Sequence, residues 1–194
     1  MRTTKTVLTV MAVALVAGAA FAGPPETFTG RLVDTAGAIP RATSTYITVH
    51  ADRYTPDAEV KRLAEILAEK GQDALIQAMW DEESAGYVKI GNALGYQVAV
   101  IRSIPTEDGG RIIRVVTDRP IQFVEVMRSL RSRDYPFGLI ELKLGPDDRG
   151  EGVMIAAAKM EFDENGRLNI TSYGTKPFRI LKVHREDRKE KKKK

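Results

Sequence analysis

Between Phe137 and His184, apolar and polar positions alternate with a period of two, and three polar turns interrupt the alternation. The runs are Phe137–Leu144, Gly152–Phe162, Arg167–Tyr173 and Phe178–His184. Period-two alternation bounded by Gly, Pro, Asn and Asp marks antiparallel hairpins. Asn165-Gly166 tolerates the positive φ of a tight turn. In the second run Met154, Ala156, Ala158, Met160 and Phe162 fall on one side, with Lys159 and Glu161 on the other. The spacing predicts a four-strand meander.

Upstream, Thr43–Tyr54 reads as a strand. Thr45, Ile47, Val49 and Ala51 form its core face, and His50, Asp52 and Tyr54 lie on the opposite face. Thr55-Pro56 opens a helix, with Thr55 as N-cap and Pro56 at the first helical position. Val60, Leu63, Ala64 and Leu67 recur at helical spacing, and Lys70-Gly71 is a stop. A second helix is predicted over Gln72–Glu82, carrying Leu75, Ile76, Met79 and Trp80. Tyr96–Ser103 and Arg111–Asp118 form a further hairpin, and Thr29–Val33 and Tyr87–Ile90 short strands. Gly23–Phe28 reads as a loose leader. Phe123, Met127 and Leu130 predict a short helix over Pro120–Arg131. The predicted fold class is α+β: a curved antiparallel β-meander sheet covered by two short helices, plus one further short helix.

The N-terminus changes the setting. Arg2 and Lys5 precede the apolar run Val7–Ala20, and Ala20-Phe21-Ala22 has small residues where a signal peptidase requires them. The run is short against the roughly 20 apolar residues of a spanning helix. The expectation is a signal peptide over residues 1–22, cleaved between Ala22 and Gly23, and a periplasmic or secreted protein. An uncleaved anchor is the alternative. One domain follows over 23–184, then a disordered basic tail over 185–194. No later segment is apolar enough to span a bilayer as a helix.

The chain has no cysteine, which excludes a disulfide framework, a thiolate metal site, a Cys nucleophile and an acylated anchor. The formal charge is +4, but Arg2, Lys5 and the tail Arg185–Lys194 supply all of it. The body between is slightly acidic, so no nucleic-acid partner is expected. The tail is charged throughout and buries no core. It is a candidate for weak contact with anionic lipid, at about 1 kcal/mol per Lys near the surface, or simply a solubilising end.

Several constellations are candidates for chemistry. His50 and Asp52, at i and i+2 of a strand, point the same way and make a candidate catalytic pair; a solvated strand face is the competing reading. Ala156 and Ala158 are poor strand formers. Flanked by Met154 and Met160, with Met79 and Trp80 opposite, they make a candidate apolar ligand lining; close packing competes. Asp147, Asp148 and Glu151 share a turn but match no full calcium loop. Asp118 and Arg119 suit a polar ligand or a helix cap. No phosphate loop, nucleophile elbow or zinc-protease helix is present, and no cofactor or metal is expected. The leading expectation is an exported non-catalytic module that binds a small apolar or amphipathic ligand or a protein partner in the cell envelope. The alternatives are a hydrolase or lyase using His50 and Asp52, and an envelope-associated structural protein with a basic tail.

Overall fold

The computed structural model describes residues 25–34, 44–121, 134–173 and 176–186. The signal peptide expected over residues 1–22 with its expected Ala22/Gly23 cleavage point, most of the basic tail, and the helix predicted over Pro120–Arg131 (beyond Ile121) lie outside the described residues.

Among the described residues ten strands and one helix follow in the order β1 (Glu26–Val33), β2 (Ser44–Ala51), α1 (Asp57–Trp80), β3 (Gly86–Ile90), β4 (Tyr96–Val98), β5 (Val100–Pro105), β6 (Arg111–Thr117), β7 (Phe137–Leu144), β8 (Arg149–Phe162), β9 (Leu168–Ser172) and β10 (Phe178–Arg185). All pairings are antiparallel, along the path β4-β3-β2-β1-β10-β8-β7-β6-β5, with β9 attached to β8 off that path. The two ends of the path, β4 and β5, are separated by Ala99 alone. They are the halves of one bent strand, the first held by β3 and the second by β6. The sheet is therefore nearly barrel-shaped, its two ends meeting at residues 96–105.

Thr55 holds that bend. Its hydroxyl accepts from the Ile101 N–H (3.0 Å) and donates to the Ala99 carbonyl (3.3 Å), and its own N–H donates to the Ile101 carbonyl (2.8 Å). At 1% exposure it is one of the two buried polar residues among those described. This corrects the expectation of a Thr55 N-cap. Pro56 is the residue preceding the helix, which has no side-chain capping bond. A backbone amide stranded at a buried bend costs more to leave unpaired than a helix terminus open to water, and the hydroxyl goes there.

Two apolar clusters lie on opposite surfaces of the sheet. Phe28, Leu32, Ile47, Ile101, Ile113, Leu142, Met154 and Ile180 fill the interior, each at most 2% exposed. A ring of about eight strands leaves an interior just wide enough for side chains. The second cluster joins Leu63, Leu67, Leu75 and Met79 of α1 to Val100, Phe137, Ala158 and Met160. The helix thus covers the outer surface rather than roofing the single apolar face of an open sheet. The meander is corrected too. β10 pairs with the first half of β8 and β9 with the second, so β9 and β10 are not neighbours.

The predicted single face of β8 is broken by a bulge. Leu139 pairs with Ile155 but Phe137 pairs with Ala158, so β8 has one residue more than β7. One extra residue flips every later side chain to the other face. Met154 and Ala156 consequently point into the barrel, while Ala158 and Met160 lie under the helix. The N–H of Ile121 donates to the Ala156 carbonyl at 2.7 Å and satisfies the bulge.

The helix count also differs from the expectation. Instead of two covering helices the described residues form one, and its backbone leaves the helical region at Gly71 (φ 79°, ψ −172°). The break lies where the glycine was expected to stop the helix. After it, the Gln72 side-chain oxygen accepts from the Met160 N–H at 3.0 Å, an amide left over where β7 has ended. Gly71→Ala tests the break. No atom stands within 4 Å of an added Cβ, so the effect is conformational. L residues avoid this backbone region at a cost of about 1–3 kcal/mol, and urea unfolding should show a loss of that size. A straight helix would instead gain about 0.5–1 kcal/mol from the same change.

Candidate functional site

Where the end of α1 passes over the bent strand, an open cleft of about 350 Å³ is left between them. Its floor is apolar: Met79, buried on the last turn of the helix, with Val98 and Ala99 of the bend. Trp80, the last helical residue, stands at the rim and is 58% exposed. Its indole N–H donates to Asp118 Oδ2 at 2.5 Å. Asp118 follows β6 directly, and Arg119 Nε lies 3.4 Å from its other oxygen.

The position of Asp118 and Arg119 is set from below. The buried Thr117 hydroxyl donates to the Arg119 carbonyl (2.5 Å) and accepts from the Gly138 N–H (2.8 Å). Gly138 is required there, because an added Cβ would lie 2.6 Å from both Thr117 Oγ1 and Ile121 Cγ1. On the far rim Ser84 donates to Gln97 Oε1 at 2.7 Å, and Glu82 pairs with Arg62 of α1. The cleft thus joins an oriented aromatic face, an apolar floor and a polar rim whose charges are already paired.

Of the six residues expected to line a ligand site, Met79 and Trp80 do line this cleft. Met154 and Ala156 are interior packing, and Ala158 and Met160 are packed beneath α1. Asp118 and Arg119, singled out as polar ligand candidates, are in the cleft. Ser84, Glu82 and Gln97 carried no signal in the sequence, being ordinary polar residues brought together by the β3–β4 hairpin.

His50 and Asp52 lie elsewhere, on the outer surface of β2 and just past its end. His50 Nε2 lies 3.2 Å from Asp52 Oδ1, and Nδ1 lies 2.8 Å from the Thr27 hydroxyl on β1. The imidazole stacks on Tyr87 with centroids 4.9 Å apart. This set can pass a proton between a hydroxyl and a carboxylate. But β1 runs between β2 and β10, and β2 between β1 and β3, so the surrounding backbone amides are committed to ladders. The set therefore lacks the free backbone amides from which an oxyanion hole is commonly built.

The acidic turn is structural. Asp147 accepts from the Arg149 N–H at 3.2 Å, and Glu151 pairs with Arg179 at 2.9 Å. Asp148, at φ 55°, accepts from Arg111 (2.8 Å) and Arg185 (3.1 Å). Among the described residues no group of three or more His, Asp or Glu side chains is placed to hold a metal ion. None of their helices is long and apolar enough to cross a membrane.

Asp148 belongs to a polar cluster at one end of the barrel. Arg111 lies over the Phe28 ring, 5.3 Å from its centroid, and grips both oxygens of Glu26 at 2.9 and 3.0 Å. Tyr54 donates to the same carboxylate, and Arg185 reaches it at 3.1 Å. Burial alone would raise the Glu26 pKa; the bonds from Arg111 and Tyr54 and the Arg111 charge outweigh it and hold the carboxyl below its ordinary 4.5. Burial, then the neighbouring Glu26 carboxylate, push the Tyr54 phenol above its ordinary 10.0.

Both shifts have consequences for stability. A carboxyl with a lowered folded pKa gives stability present above the unfolded value, lost as pH falls through the folded one. A phenol with a raised folded pKa gives stability present below the unfolded value, lost as pH rises. Unfolding free energy measured against pH should therefore decline below about 4.5 and again above about 10. Tyr54→Phe should flatten the alkaline limb and leave most of the acid limb. An alkaline limb unchanged in Tyr54→Phe would contradict the assignment.

Comparison with protein-family models, with curated proteins and with solved structures finds no match to this chain.

Proposed function

We propose that the protein is an exported, non-catalytic binding module, and that the Trp80 cleft is its binding surface. The reading of export rests on Arg2, Lys5, the apolar run and Ala20-Phe21-Ala22. The observation that carries the reading of the cleft is the exposed Trp80, held in one orientation by Asp118 above an apolar floor. Small-ligand sites are concave and mostly apolar, with a few placed polar groups. Exposed aromatic anchors fixed before binding lose little freedom when a ligand arrives. The barrel interior is taken up by its own side chains, which leaves the outside for an amphipathic ligand or the edge of a partner.

Binding of the neutral amphipathic dye N-phenyl-1-naphthylamine tests this. The wild-type protein should bind it, and Trp80→Ala should bind at least about tenfold more weakly with an unchanged Tm, since the ring contributes mostly exposed surface. Equal affinity in the variant would refute the reading.

A further inference from the structure

We infer that the occupant of the Trp80 cleft is a neutral saccharide, a mono- or disaccharide unit of a glycan; the inference rests on the cleft being the binding surface. The charges around it argue against an ionic ligand. Glu82 is paired with Arg62 and Asp118 with Arg119, so an anion or a cation finds no uncompensated counter-charge. A wholly apolar ligand fits no better. It would desolvate the Asp118 carboxylate, the Gln97 amide and the Ser84 hydroxyl without replacing their partners, at about 1–3 kcal/mol for each group left unsatisfied.

A pyranose ring matches both parts of the site. One face presents C–H groups, which the oriented indole of Trp80 can cover. Its edge carries hydroxyls, each able to donate and to accept. The rim answers with acceptors on Asp118, donors on Arg119 and on the Gln97 amide nitrogen, and a remaining lone pair on the Ser84 hydroxyl. At about 350 Å³ and open on one side, the cleft lies at the small end of ligand pockets, roughly 300–1,000 Å³. That is room for a short piece of a chain that continues into solvent.

Trp80 is the only tryptophan in the chain, so its emission reports on the site directly. The test titrates cellobiose, N,N′-diacetylchitobiose and maltose into the full-length protein and follows that emission. Parallel arms use cellobiuronic acid, adenosine and N-phenyl-1-naphthylamine. At least one neutral disaccharide should give a saturable change, half-complete on the order of 1 mM. By calorimetry, Asp118→Ala and, separately, Gln97→Ala should weaken it about tenfold. If the naphthylamine changes the emission but no neutral sugar does, the ligand class is wrong and the cleft stands. If neither does, both readings fall. Tighter binding of the uronic acid or of adenosine than of every neutral sugar also overturns the inference.

Discussion

Arg111→Ala should lower the unfolding free energy by about 3 kcal/mol, the largest effect expected of any change to a charged residue here. The guanidinium satisfies two carboxylates at once, Glu26 through both oxygens and Asp148 through one. Its Glu26 partner has only 13% of its side chain exposed, so the carboxylate cannot recover its loss from water. The truncation also uncovers Phe28, over which the guanidinium lies. For a domain of this size the loss should appear as a fall in Tm of about 6–12 °C. Arg114→Ala is the control. Arg114 pairs with Glu141 on the outer surface with 55% of its side chain exposed, and its removal should cost no more than about 1 kcal/mol. Equal effects from the two changes would mean that the cluster at the barrel end is an ordinary surface network.

Gly86→Ala should be at least as damaging, at about 3–5 kcal/mol. Gly86 has φ 152°, and an added Cβ would lie 1.9 Å from the His50 carbonyl oxygen. That oxygen belongs to β2, which pairs with β3 across Ala51 and Gly86. No rotamer relieves a clash with backbone, so β3 must move away from β2 or the local pairing must open. The same displacement would shift Ser84, whose hydroxyl accepts from the Gly86 N–H at 3.2 Å, and with it the far rim of the cleft. Chemical denaturation measures the first effect and dye affinity the second. A loss under about 1 kcal/mol would show that β2 and β3 do not approach so closely.

Where local chemistry alone decides an element, its sequence was enough to read it. β7 begins and ends where alternation and turn residues coincide, at Phe137 and Leu144. The helix breaks at Gly71, the residue best able to adopt that backbone. The core face of β2, with Ile47, Val49 and Ala51 inward, follows from alternation. What was not legible depends on partners distant in the chain. The face change along β8 arises from a register shift against β7 and from Ile121 reaching Ala156, and alternation carries no trace of either. Glu26 fell in a stretch read as a loose leader, because β1 is fixed by β10 at the other end of the chain and by the Arg111 cluster.

The same division holds at the cleft. Met79 and Trp80 stood out by type, and Asp118 and Arg119 by their place at the end of a strand. Their meeting depends on the helix crossing the bent strand, which no local pattern encodes. The four other residues expected to line a site were small or soft for packing reasons.

With the barrel occupied by its own side chains, a ligand of the proposed kind binds outside it, beside Trp80. Amide chemical-shift mapping with N-phenyl-1-naphthylamine on isotope-labelled protein tests it most directly. The expected result is a cluster of shifts at Trp80, Ser84, Gln97 and Asp118, with the amides of Val88, Ile113 and Met154 unmoved. Largest shifts at those three inward-facing positions would contradict it, placing the ligand inside the barrel.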